Sequence, residues 1–163
     1  MAAQTIAQSD LSILPYNQLV SDYFLKYIEQ ISDEDTRNEV LKLYLLYNKL
    51  TKYNQRCLDP MYPSALKVRK AITIISKFLG EESAFRLESI PEEIIEAIRE
   101  RSQALNDEGD SYVKIDGHAS HQSSTSSVVH RSFLDTMFSE LYSYCVMRLS
   151  QAYDNFKQSR LFT

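Results

Sequence analysis

The sequence predicts an all-α protein of one domain, and three observations carry that expectation. Only 3 glycines and 4 prolines occur in 163 residues, too few for a chain built from tight turns. Apolar residues recur at steps of three and four over most of the length, which places them on one side of successive helices. Hydrophobic residues make up 44% and charged residues 25% of the chain, enough apolar surface for a sizeable core at this length.

Taken in order, the first helix follows Pro15: Leu19, Val20, Phe24, Tyr27, Ile28 and Ile31 share a face over about four turns. Ser32 with Asp35 three positions on forms an approximate capping box, and the acidic run Asp33, Glu34, Asp35 suits the positive end of a second helix starting near residue 33. Val40, Leu41, Tyr44, Leu45 and Tyr47 carry it inward, and it is expected to fray around Tyr53, ahead of the two prolines in "RCLDPMYP". A third helix opens at Ser64 after Pro63. Its inward face is read as Ala65, Leu66, Val68, Ala71, Ile72, Ile75, Phe78 and Leu79, with Gly80 as a left-handed stop.

In "SIPEEIIEAIRERSQAL", Ser89 or Ile90 caps a fourth helix and Pro91 opens its first turn. Ile94, Ile95, Ile98 and Leu105 face inward, with a stop expected near Asn106. Asp107 to Arg131, containing "GHASHQSSTSS", reads as a mobile loop with almost nothing able to pack. Beyond it Phe133, Met137, Leu141, Cys145 and Leu149 fall at four-residue steps, flanked by Leu134 and Phe138, and give a long last bundle helix. The closing "AYDNFKQSRLF" then poses a question, because Tyr153, Phe156 and Phe162 need something to bury them. Either they close a core from its last turn, or they form a peptide that inserts into another protein.

Composition excludes several classes of function. A formal net charge of −4 and a pI near 5.4 leave no basic stripe able to displace phosphate counterions, so nucleic acid is not an expected partner. Cys57 and Cys145 do not suggest a disulfide framework. There is no apolar run of the roughly 18 residues that a membrane-spanning helix needs, and "MAAQTIAQSD" lacks the pattern of a secretory signal, so a cytoplasmic protein is expected. His118 and His121 have metal-like spacing, but zinc would need Asp110 or Asp116 as well, and a solvated loop is the simpler reading. Glu81/Glu82 and Glu92/Glu93 sit beside helix ends, where the macrodipole accounts for them. With no phosphate cradle, zinc motif or nucleophile elbow in view, no catalytic residue, metal or cofactor is expected. Ser123, Ser124, Ser126 and Ser127 read as a flexible connector, with phosphorylation as the alternative.

Several motifs, in order, resemble the homology domain of the regulators of G-protein signalling, over nearly the whole chain. Tyr153, Phe156, Ser159 and Phe162 reproduce the Tyr-x-x-Phe-x-x-Ser-x-x-Tyr/Phe pattern that closes that domain. Phe24, Tyr27 and Ile28 are similar to its early Phe-x-x-Phe-Leu, and Leu87, Glu88 and Ser89 to its Leu-Asp-Ser element. The resemblance implies an antiparallel four-helix bundle, about residues 32–150, beside a smaller lobe made by the N- and C-terminal helices, about 10–31 and 151–163. Tyr153, Phe156 and Phe162 would then pack back on the helix holding Phe24 and Ile28.

It also implies a partner, a Gα subunit or another signalling protein, met by a monomer in the cytoplasm or, through partners, at the inner face of the plasma membrane. The candidate contacts are Glu34, Asp35, Arg86, Glu88, Ser89 and Ser159. Family members speed GTP hydrolysis by holding the switch regions of Gα in their transition-state arrangement. The Asn they use before the Leu-Asp-Ser element is replaced here by Arg86, expected to be exposed, and a cation cannot copy an amide that both donates and accepts. The other contact loop resembles "SDED", with Glu34 and Asp35 in its last places; an alignment through Leu43, Tyr44 and Leu50 puts Val40 there instead. The expectation is an interaction module with little or no GTPase activation; the alternative is an active GTPase-activating protein with divergent loops.

Overall fold

The structure, a computed structural model, describes residues 10–113 and 134–159, without the side chains of 105–113. It is all-helical, with no strand among the described residues. The helices are α1 (Gln18–Glu29), α2 (Glu34–Leu58), α3 (Ser64–Phe78), α4 (Glu92–Val113) and α5 (Ser139–Lys157), preceded by a 3-10 turn at Leu11–Ile13. Two compact units divide the chain. A terminal unit takes the described residues up to Thr51 and from Tyr142 onward, and a central unit takes Lys52–Leu141, so both α2 and α5 contribute to each.

In the terminal unit, the Asp10 side chain caps the 3-10 turn by accepting from the Ser12 N–H at 2.9 Å, and Leu11 and Leu14 are buried ahead of Pro15. Asn17 caps α1 in the same way, accepting from the Val20 N–H at 3.2 Å. Val20, Phe24 and Ile28, four residues apart, form the buried stripe of α1. Leu19, read from the sequence as inward, is 52% exposed, because one helical step from Val20 turns it by about 100° to the flank away from Phe24 and Ile28.

The cap of α2 is Asp33, not Ser32: its carboxylate accepts from the Thr36 N–H at 2.9 Å and contacts the Thr36 hydroxyl, while its carbonyl takes the first helical bond from Arg37 at 2.9 Å. Those hydrogen bonds from Thr36 hold the Asp33 carboxyl below its usual range. Further along α2, Leu43, Tyr44, Leu46, Tyr47 and Leu50 are buried, while Leu41 and Leu45 are half-buried.

The two ends of the chain meet around Phe24. Its ring has no exposed surface and lies 5.2 Å from Phe156, 5.5 Å from Tyr44, 5.7 Å from Tyr153 and 6.2 Å from Tyr27, three of these contacts edge-on. Phe156 also lies 5.6 Å from Tyr27. Edge-on pairs of this kind contribute roughly 0.5–1.5 kcal/mol each beyond their burial. Tyr44 satisfies its hydroxyl on that of Ser21, and Arg148 of α5 pairs with Glu39 of α2 at 2.8 Å. Tyr153 and Phe156 are thus buried by the first helix of their own chain; Phe162 lies outside the described residues. They also belong to one continuous α5, not to a separate terminal piece. Its stripe Cys145, Leu149, Tyr153 and Phe156 is fully buried, and burial pushes the Cys145 thiol up to about 12.

In the central unit, α2 runs on to Leu58 where the sequence suggested fraying at Tyr53. Tyr53 is buried, its hydroxyl donates to the Leu134 carbonyl at 2.7 Å, and its ring stands edge-on to Phe138 at 5.1 Å. The inward face of α3 is Lys67, Ala71, Ile74 and Phe78. Leu66 and Ile72, read as core, are 38% and 47% exposed. Lys67 is buried because its aliphatic stem covers apolar surface while its ammonium reaches the Cys57 carbonyl at 3.4 Å.

Gly80 is not left-handed; no described glycine has a positive φ. Close approach explains it instead, since a Cβ there would stand 2.3 Å from the Ser76 carbonyl oxygen. Helix α4 begins after Pro91, whose carbonyl accepts from Ile94 and Ile95, and continues through 107–113, past the expected stop near Asn106. The rest of the expected loop, the three histidines, the four loop serines, Phe133 and the Leu105 side chain lie outside the described residues.

Arg101 of α4 clamps the entry to α5. One guanidinium nitrogen donates to the Thr136 and Met137 carbonyls at 3.0 and 3.1 Å and to Glu140 at 2.7 Å, and the other to Glu140 at 2.6 Å. This paired hydrogen bonding holds the Glu140 carboxyl down to about 2.

Two outcomes are expected in urea denaturation. Phe24→Ala destabilises by about 3–5 kcal/mol, as for a fully buried ring, and Leu19→Ala by less than about 0.5 kcal/mol. Because folding lowers the Glu140 pKa, the clamp's contribution is fully present above the ordinary value of 4.5 and is lost as pH falls from there through about 2. Glu140→Gln therefore flattens the fall in stability across that window, by about 1 kcal/mol once screening of a half-exposed pair is allowed for.

Candidate functional site

Of the candidate contact residues, Glu34, Asp35 and Ser159 belong to the terminal unit and Arg86, Glu88 and Ser89 to the central unit. In the terminal unit, Glu34 and Asp35 form the exposed first turn of α2, directly after the Asp33 cap. The connection is held by Arg37, which donates to the Ile31 carbonyl at 3.0 Å. Two carboxylates at a helix start suit its macrodipole. Val40, the alternative position, is half-buried. Ser159 follows α5 and is half-buried, and its hydroxyl donates to the Phe156 carbonyl at 2.7 Å. It finishes the last turn of the helix that carries Phe156.

In the central unit, Arg86, Glu88 and Ser89 sit on the connection between α3 and α4. Leu87 anchors that connection: its side chain is buried, and its N–H donates to the carbonyl of Phe78 at the end of α3 at 3.0 Å. Ser83 holds the preceding turn, with its hydroxyl donating to the Lys77 carbonyl at 2.5 Å and accepting from the Phe85 N–H at 3.2 Å. Phe85 lies against the Lys77 ammonium, 4.4 Å from its ring centre, and is 41% exposed. Ile90 is buried just before α4.

Between the anchors Leu87 and Ile90, Glu88 and Ser89 face solvent, while Glu81 and Glu82 are exposed earlier in the connection. Arg86, expected to be exposed, is half-buried; its N–H donates to the Ser83 carbonyl at 3.1 Å, so the turn that Ser83 organises draws its backbone in. The result is a short, backbone-fixed loop presenting carboxylates and a serine beside a partly open aromatic ring.

Among the described residues no group of three or more His, Cys, Asp or Glu side chains could hold a metal ion, and no helix is long and apolar enough to cross a membrane. The two prolines of the sequence marked the break between α2 and α3, but not that Leu58 and Met61 stand there 84% and 86% exposed. No family model, curated protein or solved structure matches the chain.

The loop's dependence on its anchors is measurable by thermal or urea unfolding. Leu87→Ala is expected to destabilise by about 2–5 kcal/mol. Gly80→Ala is expected to destabilise by about 1–3 kcal/mol, because the added Cβ must displace backbone. Glu88→Ala and Ser89→Ala should stay within about 0.5 kcal/mol.

Proposed function

We infer that this chain is a helical protein-interaction module of the type found in regulators of G-protein signalling. It binds a Gα subunit or another signalling protein, has no active site of its own, and gives little or no GTPase activation. It works as a cytoplasmic monomer, reaching the inner face of the plasma membrane through its partner.

The observation that carries this reading is the ring cluster of Phe24, Tyr27, Tyr153 and Phe156, the meeting of the two chain ends that the resemblance implies. Weak activation follows from chemistry. Stimulating hydrolysis needs polar groups that both donate and accept beside the attacking water. The corresponding positions here hold Arg86 and either Asp35 or Val40. None of these can do both, and losing such contacts at a desolvated interface costs several-fold to many-fold in rate.

The test is a pull-down with Gα subunits in GDP, GTP-analogue and transition-state-mimic forms, together with single-turnover GTP hydrolysis. Binding with less than about tenfold acceleration is the expected result. Greater acceleration would make the chain an active GTPase-activating protein, and no binding to any Gα form or other signalling partner would remove the proposal.

A further inference from the structure

Charge is unevenly distributed along this acidic chain. Residues 56–77 hold Arg56, Lys67, Arg69, Lys70 and Lys77 against the single acid Asp59, a local excess of positive charge in a chain whose net charge is −4. Helix α3 itself carries four of those cations and no acid. Its outward face brings Leu66, Arg69 and Lys70 together at i, i+3 and i+4, all exposed. Among the described residues neither Arg69 nor Lys70 has an ion pair.

Immediately before this face the chain turns through Asp59–Pro63. Leu58, Pro60, Met61 and Pro63 are exposed there, Leu58 and Met61 at 84% and 86%. Side chains that open form a convex apolar tip, not the wall of a groove. The tip is fixed in shape: the Asp59 carboxylate accepts from the Met61 N–H at 2.9 Å, the Tyr62 N–H bonds the Asp59 carbonyl at 3.2 Å, and the Arg56 guanidinium lies over the Tyr62 ring at 4.9 Å. The acids Glu81, Glu82 and Glu88 belong to the connection at the opposite end of α3, about 20 Å along the helix axis.

We propose that the α2–α3 turn and the adjoining outward face of α3 are a docking site for an anionic lipid bilayer, with Leu58 and Met61 entering the interface and Arg56, Arg69 and Lys70 contacting acidic headgroups. Two physical reasons favour a bilayer over an acidic protein. A projecting apolar tip has no pocket to receive a partner's side chains, whereas the boundary between headgroups and acyl chains accepts such a tip to a depth of roughly 5–10 Å. Lys70 lies six residues into α3 from Ser64, or about 9 Å, so the cations reach headgroup level while the tip is inserted. The site goes beyond the proposed module activity and does not depend on the identity of its protein partner.

The test uses the full chain and sedimentation with vesicles of phosphatidylcholine alone or with about one third phosphatidylserine. Binding is expected only to the anionic vesicles, falling at least about tenfold from low to roughly 0.5 M salt. Arg69→Glu with Lys70→Glu, and separately Leu58→Ser with Met61→Ser, should each weaken binding at least about tenfold while leaving the melting temperature and Gα pull-down unchanged. The chain contains no tryptophan, so Met61→Trp supplies a single reporter whose emission should shift to the blue on anionic vesicles.

Equal binding to both vesicle types, or no binding, would overturn the proposal. So would binding that survives the Leu58→Ser, Met61→Ser change with no blue shift. Capture of polyglutamate but not of anionic vesicles, lost in the charge-reversed variant, would assign the surface to an acidic protein instead.

Discussion

The closure of the two chain ends around Phe24 is the constraint on which the terminal unit depends. A ring with no exposed surface, ringed by Tyr27, Tyr44, Tyr153 and Phe156, draws α1, the first part of α2 and the end of α5 into one core. The chain between Phe24 and Phe156 is long, yet closing a long connection adds little, because the entropic penalty rises by only about 0.6 kcal/mol for each doubling of its length. Several edge-on contacts and the burial of three large rings offset it. The position of Ser159 follows from the same packing, since its hydroxyl is bonded to the carbonyl of the buried Phe156.

Helix α2 achieves its length by placing a tyrosine wherever an apolar body must be buried and a polar tip satisfied. Tyr44 meets Ser21, and Tyr53 meets the Leu134 carbonyl. Tyr47 stacks on Tyr142 at 5.8 Å with its hydroxyl 3.5 Å from the Leu11 carbonyl, at the limit of a hydrogen bond. Burial pushes the Tyr47 and Tyr53 phenols well above their ordinary range, so they stay neutral donors at any physiological pH. Phenylalanine could fill nearly the same volume at Tyr53 but would remove the shortest of the hydrogen bonds that the Leu134 carbonyl accepts, leaving it those of Met137 and Cys57.

The connection between α3 and α4 is arranged on a different principle. Leu87 and Ile90 are buried so that Glu88 and Ser89 between them are not, and backbone bonds from Ser83 to Leu87 fix the approach. A loop held this way presents its side chains with little ordering entropy left to lose.

The helical class, the stripe Leu141, Cys145 and Leu149 on α5, and the acidic start to α2 could all be read from the order of residues. Each of these is a local matter of spacing or of capping chemistry within one turn. The pairing of Phe24 with Tyr153 and Phe156 was legible only through a family resemblance, because nothing in the spacing of one segment names the other. The half-burial of Arg86 was not legible, because the turn around Ser83 imposes it.

Tertiary structure alone decided which side of α3 faces inward. That helix has apolar residues nearly all round, and packing selected Lys67, Ala71, Ile74 and Phe78 over Leu66 and Ile72. It likewise carried α2 past Tyr53, where a carbonyl far away in the sequence supplies the partner, and it gave Gly80 its reason in a neighbouring carbonyl instead of its own φ. Periodicity reports what a segment could bury; only the neighbouring elements fix what it does bury.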